Sequence, residues 1–339
     1  MPKVSVIIPN YNHARYLRQR IQSVLDQTFQ DFDLMYLDDA SSDESNTIFA
    51  EFETQQRIKA IYNDRNSGSP FKQWNKGFRA TEGEYVWIAE SDDVADPDFL
   101  ATLVPMLDEN PNVGIAYSQS CRIDSNNVVF EPTLRQWVED LDPERWEHDF
   151  VASGIIECQK YLVIKNTIPN ASAVLIRRSV YEAIGGAEES LLLTGDWMTW
   201  IKMLLRSDIA FCARPLNSFR THKSSVRSRT TLNGTAFYEN ILIKKSLDNS
   251  ISIPSGISLK IAEQSIYGWI NLTFDRESTI GLQDHLKFYR LAKTTVAHIE
   301  IIILKQLLSY LKNQSSIKVR SWIPKSMKTA LKKLKSSPT

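Results

Sequence analysis

Glu84-Tyr85-Val86-Trp87-Ile88-Ala89-Glu90-Ser91-Asp92-Asp93-Val94-Ala95-Asp96-Pro97-Asp98 is an apolar strand that runs straight into a group of acids. Glu90, Asp92 and Asp93 crowd the end of a buried strand, where they repel one another and add little to folding. They therefore imply a partner, most simply a divalent cation with oxygen ligands that carries a metal-bound phosphate. The same residues also suit an acidic turn capping the helix that Pro97 and Asp98 open.

Upstream, Val4 to Ile8 is a short apolar run closed by Pro9, as expected of a strand buried on both faces of a parallel sheet. Leu17, Ile21, Val24 and Leu25 follow at helical spacing after the polar loop Asn10 to His13. Leu34 to Leu37 reads as a second strand, ended by Asp38-Asp39-Ala40-Ser41-Ser42-Asp43. A helix near 44–53, a strand at Ile58 to Tyr62, and a helix bearing Phe71, Trp74 and Phe78 come next. The strand at Tyr85 to Ala89 and a helix with Phe99, Leu100, Leu103 and Leu107 complete an α/β layer with right-handed crossovers. In such sheets ligands sit outside the carboxyl ends of the strands. Pro9 to Asn12, Asp38 with Asp39, and Glu90 to Asp93 all fall there, which argues for one shared site.

Past Val113 to Tyr117 the pattern turns irregular, and Gln136 to Phe150 reads as a polar and aromatic loop or lid. Ala173 to Arg177 is a further strand and Trp197 to Leu205 a helix. After about Ser228 only helices are expected, with apolar positions at Ile241, Leu247, Ile261, Ile266, Trp269, Leu272, Leu286, Leu291, Ile301 and Leu308.

At 339 residues and 42% apolar, the chain supports one large domain with an appendage, or two domains. Zero formal net charge argues against a nucleic-acid-binding surface. Cys121, Cys158 and Cys212 are odd in number and widely spaced, which suggests neither a disulfide framework nor a zinc site and fits a reducing cytoplasm. The opening residues contain no apolar stretch of signal-peptide length, and no run of about 18 apolar residues occurs, so neither export by that route nor a membrane span is expected.

These motifs together resemble the inverting family 2 glycosyltransferases of GT-A fold, a Rossmann-like, mostly parallel central sheet flanked by helices. The resemblance is carried by Val4-Ser5-Val6-Ile7-Ile8-Pro9-Asn10-Tyr11-Asn12, Ser23-Val24-Leu25-Asp26-Gln27-Thr28, Asp38 to Asp43, Asn66, Gly68, Asn75, Gly77, Gly83-Glu84-Tyr85 and the acidic cluster, and it spans roughly residues 3 to 225. It implies that Pro9, Tyr11, Asn12, Asp39 and Asn66 surround a donor nucleotide, with Tyr11 stacked on the base and Asp39 accepting from an imide N–H of uracil type. Asp38 to Asp43 equally suits a helix cap.

Glu90, Ser91 and Asp92 fall on the family's Asp-x-Asp motif, with Glu in place of the first Asp. The resemblance makes Asp92 the ligand of Mn²⁺ or Mg²⁺, with Asp93 second. Asp196, in Thr194-Gly195-Asp196-Trp197, falls where the family carries its catalytic base; an N-cap role suits it too. Arg220-Thr221-His222-Lys223-Ser224-Ser225-Val226 resembles the segment that closes over the diphosphate. There His222 is a candidate third ligand or phosphate donor, with Arg227 and Arg229 after it. Asn170 falls on the acceptor side, and Trp137, Trp146 and His148 are aromatic candidates for sugar rings.

The implied activity is transfer of a sugar from a nucleotide-diphosphate donor, UDP-type, to a saccharide or lipid-linked saccharide acceptor in bacterial surface polysaccharide or lipopolysaccharide synthesis. A non-catalytic sugar-nucleotide binding module and a nucleotidyltransferase are the alternatives. The latter lacks a Gly-rich, Lys-containing phosphate loop after the first strand.

The expected division is a catalytic domain over 1–228 and a helical region over 229–339. From Lys312 onward eight basic residues and no acidic ones occur, interleaved with Trp322, Ile323, Met327, Leu331 and Leu334. That pattern suits a helix lying on an anionic membrane at its cytoplasmic face, or a solvated tail packed on its own domain.

Overall fold

The structure is a computed structural model that describes residues 1–55, 57–222 and 232–313. Its centre is a mixed sheet. Strands β1 (Val4–Asn10), β2 (Phe32–Asp38), β3 (Ile58–Tyr62) and β4 (Tyr85–Ile88) form the parallel half in the order β3-β2-β1-β4. Beyond β4 the sheet continues through β9 (Val174–Arg177), β6 (Val113–Ile123) and β10 (Asp208–Arg220) to the short β5 (Val94–Ala95). Only β9 and β5 on this path run against the rest. The small strands β7 (Val129–Glu131) and β8 (Phe150–Ala152) pair with β6 and β10.

The apolar runs are continuous because both faces of the sheet are covered. Val4, Val6, Ile8, Tyr85 and Trp87 point into one core, beneath the helices α1 (Ala14–Leu25), α2 (Ser45–Ala50) and α4 (Phe99–Asp108). Ile7, Val86 and Ile88 point into the other, beneath α3 (Pro70–Ala80) and, later in the chain, α8 (Gly195–Leu204). Between them lie three short helices, α5 (Arg135–Val138), α6 (Gly154–Glu157) and α7 (Arg178–Ala183).

The expected α/β layer is present. The thirteen-residue β10, by contrast, was not legible: register shifts at Asp208/Ile209, Cys212/Pro215 and Pro215/Asn217 break its period of two. The stretch expected to be a polar and aromatic loop or lid is largely loop, packed down on the domain. Trp146 is 3% exposed and its Nε1 donates to the Tyr117 hydroxyl at 2.8 Å, while Trp137 Nε1 donates to the Asn166 carbonyl at 2.7 Å. His148 alone of that group stays exposed.

After residue 231 the described chain is helical, as expected: α9 (Thr235–Ser250), α10 (Ser255–Thr273), α11 (Leu282–Thr295) and α12 (Ile299–Asn313). They build a third core around Ile266, Trp269, Phe288, Ile299 and Ile302. Helix α9 belongs to two cores at once, giving Ile241 to the helical one and Ile243 and Leu247 to the sheet's. Leu286 and Ile301, grouped above with the apolar positions, face solvent. The basic residues after Lys312, and Arg227 and Arg229, lie outside the described residues. No helix of the described residues is long and apolar enough to cross a membrane.

Candidate active site

The carboxyl ends of β1, β2, β4 and β10 meet at one edge of the sheet, and two acidic groups of different character stand there. The first surrounds Asp39. Asn12 and Ala40 both adopt left-handed backbone, at φ 57° and 61°, a conformation that side chains with a Cβ take up only when something holds them. Asn12 is held through its side chain, whose Oδ1 accepts from Ser42 N at 2.8 Å, and its own N–H donates to Ser41 Oγ. Asn10 Nδ2 ties Tyr36, Asp38 and Ser41 together.

Asp39 then lies under the loop 63–69. Its Oδ1 accepts from Asn63 Nδ2 (2.6 Å), Ser67 N (2.9 Å) and Gln73 Nε2 (2.9 Å), and its Oδ2 from Asn66 Nδ2 (3.1 Å) and Ser67 Oγ (2.7 Å). Gly68, at φ 75°, makes the turn that brings this loop back. Pro9 is buried in β1, while Tyr11 stands 39% exposed at the mouth of the cup. Asn66 therefore sits with Asp39.

The second group follows β4. Glu90 is half-buried, its Oε1 accepting from Trp74 Nε1 at 2.8 Å and its backbone N–H donating to Ser172 Oγ. Burial, then the neighbouring charges of Asp92 and Asp93, push its carboxyl up to about 8. Asp93 points into the scaffold: Oδ1 accepts from Arg220 N at 2.8 Å and Oδ2 from Asn170 Nδ2 at 2.9 Å, and burial together with Asp92 raises it to about 6. The structure thus couples Asn170 and Asp93 to each other.

Asp92 faces the other way, its Oδ2 2.8 Å from His222 Nε2. Burial opposes its ionisation, yet the His222 contact and the charges of His13 and His222 hold its carboxyl below the ordinary value. Behind all three acids lies Arg20, 0% exposed, its guanidinium 5.0 Å over the Trp87 ring and without a hydrogen-bond partner. Burial lowers it to about 10 against the pull of the acids.

His13 was not singled out by the sequence. Its Nδ1 is 2.9 Å from Ser91 Oγ, which orients the ring, and the ligating atoms of His13, Asp92 and His222 all lie within 4.8 Å of one another. Such a set of two imidazoles and a carboxylate fits a divalent cation. It suits Mn²⁺ better than Mg²⁺, which prefers oxygen throughout. The signal in the sequence was only a histidine at the strand-to-helix turn after β1, the same sheet edge that carries the acids.

Asp196 occupies the first turn of α8, not the cap, which is Thr194. Its Oδ2 accepts from Asn166 Nδ2 at 3.1 Å and its Oδ1 from Trp197 N, and the residue is half-buried. An acid there also gains from the helix N-terminus. Gly195 lets the helix start pack directly on the Phe71 ring, where a Cβ would collide.

Four neighbouring residues of α3 therefore reach different parts of the edge. Phe71 lies under Gly195, Gln73 bonds Asp39, Trp74 bonds Glu90, and Asn75 bonds Ala187 O and Glu189.

The profile described as glycosyl transferase family 2 matches residues 5–185. The chain is 26% identical over 344 residues to the uncharacterized glycosyltransferase RT0329 of Rickettsia typhi, covering 96% of this chain and 98% of that protein. It is 36% identical over 137 residues to the uncharacterized glycosyltransferase alr2836 of Nostoc sp., covering 40% of this chain and 41% of that protein. Among solved structures it resembles Staphylococcus aureus TarS 1–349 in complex with UDP-GlcNAc, with TM-score 0.67, 16% identity and 92% of each chain covered.

Proposed function

The chain belongs to glycosyl transferase family 2, and on that premise we propose that it moves a sugar from a UDP-type donor to an acceptor hydroxyl with inversion. The observation that carries this reading is the convergence of Asp92, His13 and His222 within 4.8 Å at the sheet edge that also holds Asp39. Tyr11 stacks on the donor base, Asp39 exchanges one of its internal donors for the base N–H, and Asn12 and Asn66 hold the loops that shape the cup. Asp92, His13 and His222 would hold a Mn²⁺ or Mg²⁺ ion, which would supply positive charge beside the diphosphate leaving group. Glu90 and Ser91 shape the same wall, and Asp93 fixes it from behind.

Asp196 accepts the proton of the acceptor hydroxyl as that oxygen attacks the anomeric carbon from the face opposite the nucleotide. The acceptor is a saccharide or lipid-linked saccharide of bacterial surface polysaccharide or lipopolysaccharide synthesis. The UDP-GlcNAc complex of TarS, which is named a poly(ribitol-phosphate) β-N-acetylglucosaminyltransferase, supports both the donor and the acceptor class. The enzyme works in the cytoplasm. The catalytic part comprises 1–228 and the helical region 229–339.

The test is calorimetric binding of UDP-, GDP- and dTDP-sugars with Mn²⁺ and with EDTA, paired with turnover of Asp196→Asn. Metal-dependent binding of one donor, kept by the variant while turnover falls about 10²–10⁴-fold, is the expected outcome. An Asp196→Asn protein that binds donor and turns it over at the wild-type rate overturns the assignment of the base.

A further inference from the structure

The loop that delivers Asp196 is held by the first described helix after the last strand of the sheet. Leu192 N donates to Glu239 Oε1 at 2.7 Å, and Leu193 N, Thr194 N and Thr194 Oγ1 donate to Oε2 at 3.0, 2.8 and 3.0 Å. Glu239 is 3% exposed and stands on α9, in the helical region. A buried carboxylate with four donors is a strong, directional anchor, and loss of it strands three backbone N–H groups.

The anchor replaces the usual arrangement. A residue at the cap of a helix ordinarily turns its hydroxyl toward its own first turn. Thr194 makes no such bond and gives its hydroxyl to Glu239 instead. On the opposite side Gly195 rests on Phe71, so the start of α8 is gripped between the sheet body and the helical region.

Because Ile243 and Leu247 bury α9 in the sheet core and Ile241 in the helical core, Glu239 is placed by both. We propose that Glu239 is a positioning residue for the transfer reaction: through the backbone of Leu192 to Thr194 it fixes where Asp196 meets the acceptor hydroxyl. The inference rests on Asp196 being the base.

The test uses the full chain with Mn²⁺, reading nucleotide diphosphate released from UDP-, GDP- and dTDP-sugars and, separately, donor binding. Glu239→Gln leaves an oxygen to accept but turns an amide group onto backbone donors. We expect its kcat to fall about thirtyfold, with donor Kd unchanged within about twofold. The double variant with Asp196→Asn should be no slower than Asp196→Asn alone, because the two act as one unit. A purely structural role would instead lower the melting temperature, leave kcat intact below it, and add its effect to that of Asp196→Asn.

Where Glu239→Gln does not fold, Thr194→Val removes one donor only, and the same pattern is expected at about threefold. Glu239→Gln at wild-type kcat beside an inactive Asp196→Asn overturns this proposal alone, whereas an active Asp196→Asn overturns the base and this proposal with it.

Discussion

The two acidic strand ends differ in how their charge is spent. At the end of β2, Asp39 receives five hydrogen bonds from Asn63, Asn66, Ser67 and Gln73, so its carboxylate is satisfied within the protein. At the end of β4, one buried and two half-buried acids share one another's field, and the cation behind them, Arg20, makes no hydrogen bond to any of them. A carboxylate satisfied in this way is stable in the fold before any ligand arrives. Acids that raise the proton affinity of Glu90 and Asp93 between them leave room for a cation to offset their charge.

The sharpest way to break this contrast is Asp92→Asn. It removes the oxygen ligand between the two imidazoles, and we expect turnover to fall on the order of a thousandfold, with calorimetric Mn²⁺ binding lost. Retained Mn²⁺ affinity would remove the distinction between the two ends. At the other end Asp39→Ala should cost about 2–3 kcal/mol of unfolding free energy, because five donors lose their acceptor. Urea denaturation reads that loss, and it should appear equally with and without Mn²⁺.

A third, smaller effect is pH dependence without metal. Glu90 and Asp93 bind protons more tightly folded than unfolded, with folded values of about 8 and about 6. Between the ordinary carboxylate range and those values the folded state holds the extra protons. The contribution of these two groups to stability therefore falls as pH rises toward 8. Saturating Mn²⁺, which selects ionised neighbours, should raise the melting temperature more at pH 8 than at pH 5. Equal increments at both pH values would count against the cluster. The smallest change is Ser91→Ala, which removes one hydroxyl from the His13 ring and should weaken Mn²⁺ binding about tenfold, leaving Asp39-dependent stability untouched.

The contrast also explains what could be read from the chain beforehand. Strands β1 to β4 are short and apolar on both faces, and each ends in Pro, Asn or acids, so local pattern alone located them and the edge they share. Asp39, Asp92 and Asp196 stand in motifs of contiguous residues. His13, His222 and Asp92 become neighbours only because β1, β4 and β10 end at one edge, and β10 was hidden by its bulges at Cys212 to Asn217. Glu239 lies 45 residues beyond the loop that it holds and looks like one more polar position on a helix of weak amphipathic pattern. Trp146 looked available for a sugar because sequence cannot tell that Tyr117 awaits its N–H.

Helix α3 touches the loop before Asp196 through Phe71, the Asp39 cup through Gln73 and the acidic cluster through Trp74. These contacts come from barely one turn of a rod whose own length scarcely changes with temperature. Thermal displacement of one part of the site is then shared by the others, so that the separation between them fluctuates less than either does on its own. Reactivity that depends steeply on that separation is thereby shielded from the breathing of the surrounding loops.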